Sequence, residues 1–567
     1  MHDVHRAPHG DAPASDAPAS GSPASGAPAS GAPVFDPLAL TVWAHAVAMI
    51  AEEMGAVLVR AAVSPNIRER RDASAALFDA TGRMVAQAAH IPVHLGAMPE
   101  AVAAVRARGA RAGDVFLLND PAHGGSHLPD LTLVEAVGDP DAPNIVAGYA
   151  AVRAHHADVG GMSPGSMPQG ATELVQEGLV LPPVRLARVN ATGEVEVNDD
   201  VLAIVLANVR TPGERLGDLR AQLAACAAGR AGWQALWRRE GGARVEAAGA
   251  ALLDYAERRA RARLSAYEGA RGSAEDALEG DGVSDAPVRV CAAVRVTGGR
   301  LHVDLAGTAP RVPGNVNCPR AVARAAAVFA LRTLLDDDVP TNDGVARALE
   351  LHVPDGCVAD ARDGAAVAAG NVEMSQRLAD VILAALTDAG LGVPAQGQGT
   401  MNNVTFGAPD GPGGGWTFYE TLGGGQGASR RGAGPSGVHV GMSNTRVTPV
   451  ESLELAYPLR VEQYALRDGT GGTGAHRGGD GVVRSYRALA PCSATLLTER
   501  RRLAPRGAAG GADAACGRNL LDGAPLPAKV RVAMDAGQVL TLETPGGGGW
   551  GRPGNDATGD DAPGDVP

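Results

Sequence analysis

The spacing of apolar and polar positions divides the chain into helical and strand-like stretches. An Ala-rich amphipathic pattern runs from Asp36-Pro37, where an N-cap residue precedes a proline, to Val63, and it predicts a helix. After Pro65 the apolar runs become short and are separated by turn residues, which is typical of β-strands. Helical periodicity returns over residues 199–268 and is interrupted at Gly241-Gly242.

Strand-like runs lie on both sides of that helical region. Two β-hairpins are predicted, one turning at Asp79–Gly82 and one at Thr297–Gly299. Other strands are expected at residues 115–118, 131–137, 145–152, 403–406, 416–421, 530–534 and 539–544, and other helices at residues 320–335 and 372–389. Because strands and helices do not alternate regularly, the expected fold class is α+β, with mixed or antiparallel sheets and helical segments.

Composition narrows the classes of function. The formal net charge is −13 and aromatic residues make up 3 %, so the sequence favours neither phosphate binding nor base stacking, and no nucleic-acid partner is expected. Lys529 is the only lysine and stands in a plain strand-like context, which excludes a self-contained P-loop NTPase. No apolar run reaches about 18 residues, and the best candidate, at 321–335, is broken by Arg324 and Arg332, so no membrane span is expected.

The chain ends and the cysteines favour a soluble cytoplasmic protein. The N-terminus lacks a basic segment followed by an apolar stretch, and the six cysteines are scattered without a C-x-x-C pair, as in proteins with reduced thiols. Residues 1–35 repeat Ala, Pro, Ser and Gly, and residues 553–567 have a similar composition. Both ends are therefore predicted to be disordered tails.

Candidate chemistry is concentrated between Ser64 and Gly161. Six of the 14 histidines lie there, in loops or at strand ends: His90, His94, His123, His127, His155 and His156. Loops held by a rigid scaffold commonly carry functional residues. His127 and Asp130 are three residues apart across a proline, so a single turn can direct both side chains to one point.

A later strand returns the chain to His155, His156 and Asp158, close to a Gly-Gly pair. Imidazole plus carboxylate suits Zn²⁺, Mn²⁺ or Fe²⁺, and the lack of cysteine argues against a purely structural zinc site. The alternative is that these histidines cap turns and bond to buried backbone groups. The recurrence of His/Asp pairs next to Gly-Gly favours the metal site.

Long motifs in the chain match a known family. They are Asn66–Asp72, Asn119–Asp130, Ala154–Gly161, Pro164–Met167, Gly370–Glu373, Gly399–Asn403, Tyr419–Thr421, Asn444–Glu451, Arg477–Gly481 and Thr544–Gly551. Through these motifs the chain resembles the hydantoinase B/oxoprolinase family. That family includes the B component of N-methylhydantoinase and is related to a large subunit of acetone carboxylase.

The resemblance implies an organisation as well as an activity. It implies one interwoven α+β catalytic subunit over residues 36–552, with a metal-site region at 36–198, a helical region at 199–285 and a Gly-rich mixed region at 286–552. Family members work with a hydantoinase A-type subunit that hydrolyses ATP, so a heterotetramer is expected. Together the subunits open a small cyclic amide such as a hydantoin, an N-methylhydantoin or oxoproline.

The resemblance also implies a divalent metal in this chain. Carried onto the matching motifs, its ligands are His127, Asp130 and His155, and an acidic residue of the Asn66–Asp72 motif completes the set. We expect Glu69, with Asp72 as the rival. The sequence departs from the family pattern after that motif, where a cysteine is replaced by alanine, and in the Asn119–Asp130 motif, where Ala122 stands in place of tyrosine.

The expected mechanism divides the work between two chains. The partner uses ATP to activate the amide oxygen, and metal-activated water here attacks the ring carbon. His156, Asp158 and His94 are the candidate catalytic residues that orient the water or carry its proton, with His90 as a further candidate. The alternatives are a subunit of an acetone/acetophenone-type carboxylase, or a non-catalytic scaffold for the ATPase subunit.

Glycine-rich segments allow two interpretations. Residues 423–427 and 546–549 could hold phosphate through their backbone N–H groups, but tight turns that require positive φ are the favoured interpretation. Glu373 lies at the start of a predicted helix and is expected to cap it.

Overall fold

Apolar periodicity and capping determine where the helices begin and end. The computed structural model describes residues 35–89, 91–94, 96–190, 192–409 and 415–554; the predicted tails, apart from Phe35, Pro553 and Gly554, lie outside these ranges, as does His90. The helices are α1 Pro37–Ala61, α2 Pro65–Arg68, α3 Met98–Ala107, α4 Asp199–Ala207, α5 Pro212–Glu240, α6 Gly242–Ser265, α7 Arg320–Arg332, α8 Asp343–Ala346, α9 Ser375–Asp388 and α10 Val450–Ala456. As predicted, the Asp36 carboxylate caps α1 by accepting the N–H of Ala39 at 2.8 Å.

The predicted strands are present with small shifts at their ends, and further strands lie in stretches where no particular run was predicted. They are β1 Ala73–Asp79, β2 Met84–Ala89, β3 Asp114–Leu118, β4 Asp130–Gly138, β5 Val146–His155, β6 Val184–Val189, β7 Val195–Val197, β8 Arg271–Leu278, β9 Val288–Thr297, β10 Arg300–Asp304, β11 Leu349–His352, β12 Asn403–Ala408, β13 Trp416–Glu420, β14 Leu459–Arg467, β15 Gly481–Ala488, β16 Cys492–Leu497, β17 Arg518–Leu521, β18 Ala524–Leu526, β19 Lys529–Met534 and β20 Val539–Glu543. Both predicted hairpins are present, as β1–β2 and β9–β10.

A seven-stranded antiparallel sheet forms the N-terminal region. Its strand order is β2-β1-β5-β4-β3-β6-β7. Helices α1 and α5 cover one face and α3 covers the other, so the central strands are buried on both sides and consist of nearly continuous apolar runs. The polar residues Asp130 and His155 lie at the ends of β4 and β5, at the edge of this apolar core.

Three further sheets complete the structure. A four-stranded sheet ordered β11-β10-β9-β8 packs against α7 and α9, and it contains a parallel pair, β10–β11. The sheets β13-β12-β16-β19 and β14-β15-β20-β17-β18 share an apolar core, in which the rings of Phe406 and Tyr486 lie 5.2 Å apart. The predicted α+β class with mixed and antiparallel sheets is confirmed.

Helix α1, rather than the 321–335 segment singled out in the sequence, is the described helix that is both long and apolar enough to resemble a membrane span. Its mean hydropathy reaches 1.5, and its length and composition alone would allow it to cross a bilayer. In the structure one side of this helix, including Trp43, Val47 and Leu58, is buried in the core below the seven-stranded sheet, whereas Leu38 and Met49 are exposed. The burial pattern is that of an amphipathic helix.

The glycine-rich segments are not turns. Residues 423–427 and 546–549 are absent from the positive-φ region, and 546–549 are buried and lie outside regular secondary structure. The N–H groups of residues 546–549 donate to carbonyl oxygens of neighbouring segments: Gly546 to Ala515, Gly547 to Gly479, Gly548 to Gln396 and Gly549 to Ala512. The turn interpretation was wrong, and these four N–H groups are not free for phosphate.

Glycine is needed there because backbones pack directly against one another. A Cβ added to Gly547 would lie 2.1 Å from the carbonyl oxygen of Gln426, and one added to Gly548 would lie 2.1 Å from that of Arg506. Real Cβ atoms do not approach backbone oxygens so closely, so a side chain would force the segments apart. The Gly excess of the sequence is in part a packing requirement.

We predict that Gly547→Ala lowers the free energy of unfolding by about 3 kcal/mol through overpacking. The matched control is Gly213→Ala, because Gly213 lies in the first turn of α5 with nothing within 4 Å of an added Cβ, and alanine there is expected to be neutral or mildly stabilising. Urea unfolding followed by circular dichroism measures both. Equal midpoints for the two variants would contradict this account of the glycine packing.

Candidate metal centre

The register of two neighbouring strands brings the first candidate residues together. Asp130 begins β4 and His155 ends β5, and the two residues are direct partners in this antiparallel pair. His127 lies in the turn just before β4, where the N–H of Asp130 donates to the His127 carbonyl at 3.2 Å. The chain thus returns to the same point after 25 residues because β4 and β5 are antiparallel.

The three side chains converge in the interior. His127, Asp130 and His155 are all at most 2 % exposed, and each offers one ligand atom within 4.8 Å of the other two. His127 Nδ1 lies 3.2 Å from Asp130 Oδ2, and His155 Nδ1 lies 3.4 Å from Asp130 Oδ1. We call these three residues the His-Asp-His cluster.

The protonation states suit a metal. Burial would raise the pKa of Asp130, but the charge and close contact of His127, with smaller contributions from His155 and His94, hold it well below its usual range. Burial lowers the pKa of His155, which keeps its ring neutral. An ionised carboxylate and a neutral imidazole are the forms that bind a divalent cation.

Unpaired atoms in the cluster also fit a metal. His127 Nδ1, Asp130 Oδ1 and His155 Nε2 are buried and make no hydrogen bond, although buried polar atoms are normally satisfied. A nitrogen–oxygen donor set of this kind suits Zn²⁺, Mn²⁺ or Fe²⁺. The residues present therefore fit the expected cofactor.

His94 belongs to the same site. It ends a single 3₁₀ turn at Pro92–His94, its Nε2 lies 3.4 Å from Asp130 Oδ2, and its Nδ1 lies 2.9 Å from the hydroxyl of Ser74. The Ser126 hydroxyl donates to Asp130 Oδ2 at 2.5 Å. These contacts fix Oδ2 of the carboxylate, whereas His155 at the end of β5 contacts Oδ1.

The two acidic candidates of the Asn66–Asp72 motif lie in different environments. Asp72 is buried and lines a small cavity together with His94, Asp130 and His155. The Glu69 side chain is 24 % exposed and pairs with Arg68 at 3.2 Å, and it does not line that cavity. The structure thus brings Asp72, the rival candidate, to the cluster rather than Glu69.

Two predicted catalytic residues lie away from the cavity. His156 points to the opposite side of β5 from His155, where its Nε2 lies 2.9 Å from Gln222 Oε1 on α5, and burial lowers its pKa to about 4. Asp158 accepts the N–H groups of Gly160 and Gly165 and pairs with Arg210 at 2.9 Å. Both side chains are engaged in fixing the loop after β5.

Distant segments supply the remaining walls of the cavity. The apolar walls come from Ile91, Val93, Val372 and Met401, and the polar ones from Asn371, Tyr419, Thr421, Ser443 and Thr445. The ring of Tyr419 stacks on that of His155, with centroids 4.5 Å apart and planes at 12°. The Tyr419 hydroxyl donates to Asn403 Oδ1 at 2.7 Å, so the ring is held at both ends.

Glu373 supports this wall from behind. Its Oε1 accepts hydrogen bonds from the N–H of Met401 at 3.1 Å and from Nδ2 of Asn403 at 2.8 Å. The expected capping of the helix by Glu373 is not observed. Burial, with a contribution from Glu499, raises its pKa to about 8. Lys529, the only lysine, forms a buried ion pair with Glu499 in this same polar layer.

Comparison with known proteins decides the family. The family model described as hydantoinase B/oxoprolinase matches residues 36–553. The chain belongs to the hydantoinase B/oxoprolinase family. The motif resemblance found in the sequence is thereby confirmed.

Members of this family include named enzymes and a solved structure. The chain is 35 % identical over 543 residues to 5-oxoprolinase 1 of Arabidopsis thaliana, covering 91 % of this chain and 42 % of that protein. It is 30 % identical over 547 residues to a protein of a Pseudomonas species that is named as the B component of a D-/L-hydantoinase, covering 91 % and 90 %. The crystal structure of the ATP-dependent caprolactamase from Pseudomonas jessenii matches with a TM-score of 0.84 and 26 % identity, over 92 % of each chain.

Length distinguishes these relatives. This hydantoinase B/oxoprolinase family chain spans about two fifths of the plant 5-oxoprolinase but nearly all of the hydantoinase component and the caprolactamase chain. The cavity residues that spacing alone missed, such as Asn371 and Tyr419, lie within motifs that marked the family resemblance. Their proximity to His155 depends on tertiary packing, which no local pattern reports.

We predict that His127→Ala and Asp130→Asn each reduce bound divalent metal to below about a tenth of the wild-type content, because each removes a ligand atom. Asp72→Asn is expected to lower metal content, whereas Glu69→Gln and His156→Gln retain it. Inductively coupled plasma mass spectrometry of the purified proteins measures this. Full metal in Asp130→Asn would contradict the cluster as the site, and loss confined to Glu69→Gln would reverse the choice between the acidic residues.

Proposed function

We propose that this chain is the metal-holding, ring-opening subunit of an ATP-dependent cyclic amidohydrolase. The observation that carries the proposal is the buried His-Asp-His cluster, which lies in a cavity lined by both apolar and polar side chains. A divalent metal bound there supplies activated water at neutral pH. The substrate class is a small cyclic amide such as a hydantoin, an N-methylhydantoin or oxoproline.

Other residues of the chain are suited to move a proton and to exclude water beside the cluster. His94 contacts both Asp130 and Ser74, so it is suited to hold or pass a proton at Nε2 beside the cluster. Tyr419 covers His155 and excludes water from that side.

The ATP step is assigned to a partner. A hydantoinase A-type ATPase subunit, in a heterotetramer, would activate the amide oxygen before ring opening. Support comes from the name of the Pseudomonas relative, which is one component of a larger enzyme, and from the plant 5-oxoprolinase, whose length leaves room for an additional region. The sole lysine is buried in an ion pair, so it does not serve a phosphate loop here.

The proposed setting is the cytoplasm, without nucleic-acid or membrane partners. All six cysteines are free and five are buried, as in a reducing compartment. The net charge of −13 disfavours binding to phosphate backbones.

We predict that the chain, co-expressed with its ATPase partner, opens at least one of hydantoin, N-methylhydantoin and oxoproline only when ATP and a divalent metal are both present. Ring opening is followed by chromatography, and ADP release is measured in parallel. Chelation followed by metal replacement is expected to abolish and restore activity. Asp130→Asn is the inactive comparison, and Gly213→Ala, which does not line the cavity, is the active one.

The same assay separates the alternatives. Ring opening without bicarbonate contradicts a carboxylase, and consumption of a ketone only with bicarbonate would replace the amidohydrolase proposal. A scaffold would leave the partner's ring opening unchanged in Asp130→Asn. Activity that persists in that variant would therefore contradict the catalytic role of this chain.

A further inference from the structure

A π-helix at Gly370–Met374 carries an asparagine into the cavity. Asn371 is 4 % exposed and lines the cavity beside Asp130 and His155. Single π-helical turns are often found at functional sites, because they displace one side chain from the ordinary helical position. Here the backbone of the π-helix packs directly against a neighbouring segment, because a Cβ on the preceding Gly370 would lie 1.9 Å from the carbonyl oxygen of Asn317.

The orientation of the Asn371 amide is set by its neighbour. Nδ2 donates to Asp130 Oδ2 at 3.5 Å. A carboxylate can accept a hydrogen bond only from the nitrogen of the amide, so Oδ1 is the atom of the Asn371 amide that does not bond to Asp130. Oδ1 is buried and has no hydrogen-bond partner. A buried acceptor without a donor costs free energy, unless a ligand supplies the donor when it binds.

We propose that Asn371 determines specificity for substrates with an amide N–H by accepting that hydrogen at Oδ1. This inference rests on the proposed function, because it deepens the substrate class of the same cavity. Oδ1 can only accept, so its hydrogen-bond partner must be a donor, and the ring N–H is the donor that hydantoins, oxoproline and simple lactams share.

Ring geometry strengthens the match. A small ring holds its amide in the cis form, in which the N–H and the C=O point to the same edge. A cis amide that donates to Asn371 Oδ1 therefore presents its carbonyl group on the side of Asp130 and the His-Asp-His cluster, since Nδ2 of the same side chain contacts Asp130. An N-methyl group on the amide nitrogen that faces Asn371 has no hydrogen to donate and would occupy the space in front of Oδ1, whereas N-methylhydantoin keeps one N–H on its other ring nitrogen.

The test compares a lactam bearing N–H with its N-methyl counterpart in the complex with the ATPase partner. For Asn371→Ala we expect kcat/KM for the N–H lactam to fall by about 10- to 100-fold, as for loss of one buried hydrogen bond. We expect kcat/KM for the N-methyl lactam to stay the same or rise. The preference for N–H should thus collapse while metal content stays at the wild-type level.

Two further variants keep the test decisive. Asn315→Ala is the matched control, because Asn315 is also a fully buried asparagine with an unbonded Oδ1 but does not line the cavity; its substrate preference should equal that of the wild type. Asn371→Ser provides a second substitution if the alanine variant does not fold, with the same collapse expected.

Each other result has a separate meaning. If the wild type opens cyclic amides but Asn371→Ala and Asn371→Ser keep its preference for N–H, the role of Asn371 is overturned and the proposed function stands. Loss of metal in the Asn371 variants would overturn it as well, because Oδ1 would then be a metal ligand. A wild-type complex that opens no cyclic amide would overturn the proposed function, and this inference with it.

Discussion

The pairing of Asp130 with His155 across strands β4 and β5 is the constraint on which the rest of the site depends. A shift of one residue in this register would turn His155 towards α5, where His156 now packs against Gln222. The seven-stranded sheet prevents that shift, because both of its faces are buried under helices. An ionised carboxylate is thereby held in the interior, and His127, His94 and Ser126 compensate for its burial.

Much of the fold is readable from the sequence because it depends on local rules. The Asp36 cap, the two hairpins and the break at Gly241 all arise from residues close together in the chain. The glycine-rich segments were misread for the opposite reason. Positive φ is a local property, whereas the need for glycine at Gly547 comes from a carbonyl group about 120 residues away.

In the candidate site, too, local features could be predicted from the sequence and features that depend on tertiary contacts could not. His127 and Asp130 could be predicted from their spacing, and the return of the chain to His155 follows from one hairpin. The sequence favoured Glu69, but Asp72 lines the cavity instead, because the irregular turn that joins these two residues decides which carboxylate faces inward. Asn371 and Tyr419 reach the cavity from other sheets and helices, so only the family motifs hinted at them.

The central claim is that the His-Asp-His cluster binds a divalent metal. Anomalous diffraction from crystals of the metal-loaded protein, recorded on both sides of the absorption edge of the bound element, tests it most directly. One strong anomalous peak is expected between His127, Asp130 and His155, and it should disappear in crystals of Asp130→Asn. A metal peak elsewhere in the chain, or an unchanged peak in that variant, would contradict the claim.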